Sequence, residues 1–419
     1  MIRRLALVLA ICLAGPAPAA AQYLLVPMDE AQANHLRAYG LAFWVLRQDA
    51  RVEWLLNFRA GSFLLPDGGA VRREAGLRGI TVEPLSGSEL AAVRGEIERS
   101  NMEAVILEKA PRIAVYTTPS SRPWDDAVTL ALTYAGIEYE KLWDPEMLGG
   151  DLSRFDWLHL HHEDFTGQYS KFFLTYAGSD WLQEEVARNR RVAAEFGFAD
   201  APALKKAVAE KIREYVEGGG FLFAMCTATE TIDLAIAAHA VDIAASYADG
   251  DGMDPDAAAR LDWERSLAFQ GAQLYDGPTV SAFSDIDGHL VNTPVRQPLG
   301  SFRLFDFSAK IDPVAAMLTQ SHRRIIADFY GLTTSYRRAR LKPSLTVQAE
   351  EPGAPWVKYI HGNYGKGTWT FLGGHDPEDP QHVIGDPPTD LDLYPDSPGY
   401  RLILNNVLFP AAKKKQLKT

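Results

Sequence analysis

The alternation of apolar and polar positions changes rhythm along the chain. Residues 29–46 carry apolar side chains at helical spacing (Ala33, Leu36, Tyr39, Leu41, Trp44, Val45). Short apolar runs at 52–56 and 62–65 predict strands, and Pro66-Asp67-Gly68-Gly69 predicts a turn. Residues 86–98 predict a helix with Ser86 or Ser88 as its N-cap. Residues 22–110 therefore read as a small α+β domain.

From Pro111 onward strands and helices alternate. Strands are expected at 112–116, 139–143, 155–160 and 221–225. Helices are expected at 124–135, at 203–217 up to Gly218-Gly219-Gly220, and from Cys226 to about residue 245. This alternation predicts an α/β fold, a parallel sheet with helices on both faces. Residues 246–341 break the rhythm and read as a large, loop-rich insertion that caps the site. Strands at 343–348, 357–361 and 369–372 and a helix at 400–408 complete a second domain over 111–411. Gly365-Lys366-Gly367 reads as a hairpin turn, because the rest of a phosphate-binding loop is absent.

Cys226 ends an apolar run and opens an Ala-rich helical pattern. Such a strand-to-helix corner exposes its central residue at a sheet edge. Ala224 and Ala228 supply the small neighbours that the tight turn demands. A thiol there sits at a helix N-terminus, whose dipole favours thiolate.

The first residues change the meaning of that cysteine. Arg3-Arg4, an apolar run over 5–15 and Ala19-Ala20-Ala21 predict a signal peptide over 1–21, with export to the periplasm or medium. Cys12 would leave with it, so the mature chain would keep a single thiol. No later stretch is long and apolar enough for a membrane span. Without the leader, 40 basic face 54 acidic side chains, a net charge of −14. That balance argues against nucleic acid as a partner. Residues 412–419, with Lys413-Lys414-Lys415, read as a basic tail. The expected partner is a small-molecule substrate; the sequence leaves its identity, the role of residues 22–110 and the oligomeric state open.

Two further clusters carry chemistry. His159-Leu160-His161-His162-Glu163-Asp164 ends a predicted strand and points to the same sheet edge as Cys226. It either shapes a polar pocket or, with His375, holds a metal and an open water position. Asp249 to Asp256 alternates Asp and Gly like a calcium loop, but Arg260 stands where a bidentate Glu is required, so it reads as an acidic surface loop. Ser120, Ser121 and Asp125 occupy the first strand-to-helix corner and are candidate pocket residues.

The succession of helix, Gly-Gly-Gly, strand, Cys226, helix, and a late strand ending in His375-Asp376-Pro377-Glu378 resembles the class I glutamine amidotransferase-like superfamily. Residues 364–378 and Tyr400-Arg401-Leu402-Ile403-Leu404-Asn405-Asn406 are similar to its trehalose-utilisation (ThuA-like) branch. The resemblance covers about 112–245 and 342–411, and it implies a flavodoxin-like sheet and a Cys-His-Glu triad. On this reading Cys226 attacks an amide or related acyl bond, His375 moves the proton and Glu378 orients the imidazole. Thr227 and the 161–167 loop would supply the oxyanion donors. His161, His162, Glu163, Glu230 and Asp376 would line the pocket. No cofactor is required. The chain departs from true glutaminases in lacking glycines around Cys226 and in separating His375 from Glu378 by two residues. Two other classes stay open: a non-catalytic carbohydrate or small-molecule binder, and a metal-dependent hydrolase using His161, His162, Glu163 and His375.

Overall fold

Five short strands build the first sheet: β1 (Tyr23–Val26), β2 (Val52–Leu56), β3 (Ser62–Pro66), β4 (Glu83–Leu85) and β5 (Glu103–Leu107). They pair antiparallel in the order β4-β1-β3-β2-β5. Period-2 alternation decides what each face buries. Leu24, Val26, Trp54, Leu56, Phe63 and Leu65 join a core with the helix His35–Leu46. Leu25, Leu55 and Leu64 face the other way, with Ile97 of the helix Gly87–Arg99. Ser86 caps that helix in a capping box with Glu89. The expected turn at 66–69 instead leads into a helix, Gly69–Leu77, whose only buried residue is Ala75. So weak an apolar stripe leaves no periodic signal.

The computed structural model describes residues 22–119, 126–275, 282–288, 300–381 and 386–412. The expected leader with Cys12, Ser120, Ser121, Asp125 and residues 413–419 lie outside the described residues.

The second sheet is mixed. Its strands are β6 (Ile113–Tyr116), β7 (Glu140–Leu142), β8 (Trp157–Leu160), β9 (Phe221–Met225), β10 (Ser301–Leu304), β11 (Ile325–Ala327), β12 (Tyr336–Arg337), β13 (Thr346–Glu350), β14 (Trp356–Tyr364) and β15 (Gly367–Leu372). The order is β11-β10-β13-β14-β15-β9-β8-β6-β7, with β12 paired to β14. Neighbours from β15 through β7 are parallel. The others are antiparallel. The expected parallel sheet is thus half of a larger one. The 246–341 stretch does more than cap: it contributes β10, β11 and β12 to the antiparallel half.

Helices cover both faces of the parallel half. Ile113, Val115, Phe221, Phe223 and Met225 pack towards Ala127–Ala135 and Pro398–Leu408. Ala114, Tyr116, Leu222 and Ala224 pack towards Ala201–Gly218 and Cys226–Ala237. The Cys226 helix stops at Ala237, short of the expected residue 245. The helix His35–Leu46 of the N-terminal unit also packs on Ala127–Ala135 and Pro398–Leu408, so the two units share one apolar core. Arg401 secures this junction while fully buried. Its guanidinium donates to the Met28 carbonyl at 2.7 Å, the Tyr39 hydroxyl at 3.1 Å and the Ala60 carbonyl.

Candidate functional site

In a parallel sheet the strand C-termini share one edge, and ligands bind in the crevice outside it. Here β9 lies between β8 and β15, so residues following these three strands are neighbours. The chain leaves β9 at Cys226, whose φ is +50°. A left-handed conformation is costly for a residue with a side chain and persists only where the surroundings enforce it. One enforcing contact is the Cys226 amide donating to the Gly374 carbonyl at 3.2 Å.

The thiol is buried beneath a backbone segment. Cys226 is 2% exposed, and its Sγ accepts from the Leu332 amide at 3.3 Å. The segment 330–334 lies over it. The Gly374 amide donates to the Thr333 carbonyl at 2.8 Å, and the His375 amide to the Tyr330 carbonyl at 2.7 Å. Gly331 allows this closeness: a Cβ there would stand 2.9 Å from the Gly374 backbone. Burial pushes the Cys226 thiol up, the reverse of the helix-dipole expectation, because desolvation outweighs the dipole.

The imidazoles gather beside it. The ring of His375 lies 4.2 Å from that of His161 and 6.0 Å from that of His162, centroid to centroid. One ring nitrogen from each of the three falls within 4.8 Å of the others. A second group adjoins: Asp126 Oδ1 is 3.2 Å from His161 Nδ1, and Asp126 Oδ2 is 3.4 Å from His159 Nε2. Asp126 is fixed because it also caps Ala127–Ala135, accepting from the Val128 amide at 2.7 Å and the Thr129 amide at 3.0 Å. Burial pushes its carboxyl up, but His161 and His159 outweigh that and hold it well below the ordinary range.

The loop after β8 is folded around Asp164. Its carboxylate accepts from the Thr166, Gln168 and Ser170 amides at 2.8, 3.0 and 2.9 Å. These amides turn inward, which removes Thr166 from the oxyanion donors expected in the 161–167 loop. Residues 169–171 are all left-handed. Glu163 is 7% exposed and accepts from the His161 amide at 3.1 Å; burial lifts its carboxyl to about 7. Glu230 is 1% exposed, takes the Ser284 hydroxyl at 2.5 Å and the Thr333 hydroxyl at 3.1 Å, and is lifted to about 7 by burial.

Of the sequence-predicted residues, the structure unites His161, His162 and His375. Thr227 lies beside the thiol, its Oγ1 3.7 Å from Sγ. The Glu378 carboxylate engages Ser397, and its amide donates to Asp376 at 2.9 Å. The Asp376 carboxylate ties the late turn together, accepting from the Thr389 and Tyr400 hydroxyls, each at 2.8 Å. Sequence reasoning missed Asp126. The available signal was an acidic N-cap one position past Asp125. His159, recognised as part of the cluster, is the second imidazole on Asp126.

No family model matches this chain, and no curated protein does. Among solved structures, it is similar to a cytoplasmic protein of Salmonella typhimurium at 10% identity, over 72% of this chain and 100% of that chain, with a TM-score of 0.35. A second Salmonella typhimurium cytoplasmic protein gives 11% identity over 72% and 99%, with a TM-score of 0.34. A beta-galactosidase of Bacillus circulans sp. alkalophilus gives 11% identity over 64% and 29%, with a TM-score of 0.26.

Proposed function

We propose that this protein is a metal-dependent hydrolase of a small molecule, exported and built on a class I amidotransferase-like, flavodoxin-like core. The carrying observation is the trio His161, His162 and His375, with ring nitrogens within 4.8 Å. Three imidazoles with a fourth position left to water make a catalytic zinc-type site. Ligand nitrogens about 3.3 Å apart suit tetrahedral bonds of ~2.05 Å, a spacing within the 4.8 Å that bounds this trio. Asp126 behind His161 is the carboxylate that such ligands use to fix tautomer and direction. A bound divalent ion would supply a water of lowered pKa. Glu163, which shares a cleft wall with His162, is placed to receive its proton. The parallel strand order β7-β6-β8-β9-β15, numbered along the chain as 2-1-3-4-5, supports the flavodoxin-like reading.

The test is metal content by mass spectrometry on protein purified without chelator, then turnover of an ester and amide panel before and after chelation. Stoichiometric metal and chelator-sensitive turnover, both lost in His162→Ala and His375→Ala, are expected. Equal zinc affinity in wild type and both variants would sink the proposal.

A second reading is favoured by the left-handed φ of Cys226: a cysteine hydrolase with a nucleophile elbow. It requires segment 330–334 to lift from the thiol, and it predicts turnover that survives chelation and is abolished by Cys226→Ala.

A further inference from the structure

A narrow cleft of about 40 Å³ opens beside His162, between the loop after β8 and the helix Asp180–Glu195. Its volume holds two or three waters. It therefore suits a compact polar group, not a sugar ring. Its walls include Glu163, Tyr169, Trp181, Glu185 and Asn189.

Two wall atoms are unsatisfied. Asn189 is 1% exposed, and its Nδ2 donates to the Glu185 carbonyl at 3.0 Å, which fixes the amide orientation and leaves Oδ1 with no hydrogen-bond partner among the described residues. Tyr169 is 6% exposed, and its hydroxyl also has no partner. Buried polar atoms are rarely orphaned, and an orphan at a cleft wall signals a missing ligand group.

What is missing must donate hydrogen bonds. The Asn189 oxygen and the Glu163 and Glu185 carboxylates are all acceptors. The Lys205 ammonium on the wall is already taken, by Asp144 and by the Tyr116 hydroxyl, each at 2.8 Å. Asp164 adds a third buried carboxylate, fixed by its loop amides. Tyr169 and Trp181 add aromatic surface, to which a cation is drawn. Burial raises the Glu185 carboxyl, with Lys205 and Arg188 opposing, so an incoming cation would recover part of its desolvation cost.

We propose that this cleft is an ammonium subsite, and that the substrate is a small amine-bearing ester or amide whose ammonium docks between Glu185, Asn189 and Trp181. The substrate assignment rests on the metal-hydrolase reading; the ammonium subsite does not.

The test compares ethylammonium, ethanol and propionate, three probes of similar size, by ligand-observed magnetic resonance on the whole protein. Each is measured with and without added zinc. Ethylammonium is expected to bind at least tenfold tighter than ethanol, with propionate not binding. Glu185→Gln and Asn189→Leu are each expected to weaken ethylammonium at least fivefold while zinc affinity stays within twofold. Equal binding of ethanol, preference for propionate, or unchanged ethylammonium affinity in both variants would overturn the subsite. Loss of zinc binding alone would overturn the metal reading and leave the subsite standing.

Discussion

His161 Nδ1 stands 3.2 Å from Asp126 Oδ1, and the same oxygen caps the helix Ala127–Ala135. One carboxylate thus sets both a helix start and an imidazole direction. Asp126→Asn tests the second role alone, because asparagine caps about as well as aspartate. Zinc affinity should fall by about 10–100-fold with little change in unfolding midpoint. Competition with a chromogenic chelator measures the first quantity and urea titration the second. Unaltered affinity would remove Asp126 from the site.

The Cys226 thiol should be inert in the folded protein. It is 2% exposed, holds the Leu332 amide and is raised by burial. Alkylation by iodoacetamide at pH 8 should run at least ~100-fold slower than in urea. Gly331→Val should speed it, since a side chain there meets the Gly374 backbone and lifts the segment. Native reactivity matching a free thiol would show that the segment opens unaided and would strengthen the cysteine reading.

Glu163 and Glu230 should each contribute a loss of stability as pH rises from about 5 to 7, against the opposite contribution of the buried His35, His322 and His361, whose imidazoles burial holds below their ordinary range. Both folded carboxyls are lifted to about 7 by burial, against an ordinary value of 4.5. Between these values each folded carboxyl binds more protons than its unfolded counterpart, so its contribution is full below about 4.5 and declines until about 7. Each group contributes on the order of 3 kcal/mol across that window. Relative to wild type, Glu230→Gln should remove on the order of 3 kcal/mol of stability loss between pH 5 and 8, measured as urea midpoints at the two pH values. An unchanged slope in the variant would refute the assignment to Glu230.

Arg401→Leu should be strongly destabilising. It removes the donor for the Met28 and Ala60 carbonyls and for the Tyr39 hydroxyl at the junction of the two units. Leaving buried acceptors unpaired costs about 1–3 kcal/mol each, so a loss of at least ~3 kcal/mol is expected in denaturant. A loss under 1 kcal/mol would mean the junction is held by its apolar contacts alone.

The parallel half of the sheet was legible because each of its longer strands is a continuous apolar run bounded by polar turns, as in 221–225. The antiparallel half was half legible. Strands β13 to β15 follow such runs, whereas β10 and β11 are three or four residues long inside polar sequence and take their strand form from their neighbours. The helix Asp180–Glu195 escaped notice because charges dominate it and only Leu182, Asn189, Val192 and Ala193 are buried. At the site, His161, His162 and His375 could be placed on one edge from topology. Which imidazole meets which group could not, since ring direction depends on Asp126 and on segment 330–334, both distant in sequence. Nor could the sequence show that the Glu378 carboxylate engages Ser397, which follows from the packing of the late turn.

The two outermost strands of the second sheet, β7 and β11, are each three residues long. In β7 the outward residues are Glu140 and Lys141, both exposed. An open sheet edge invites pairing with another chain, and short, charged margins are a way of refusing it. The β7 margin therefore offers an incoming strand almost no register to grip, whereas the apolar β11 margin, with Ile325 exposed, is guarded by its shortness alone.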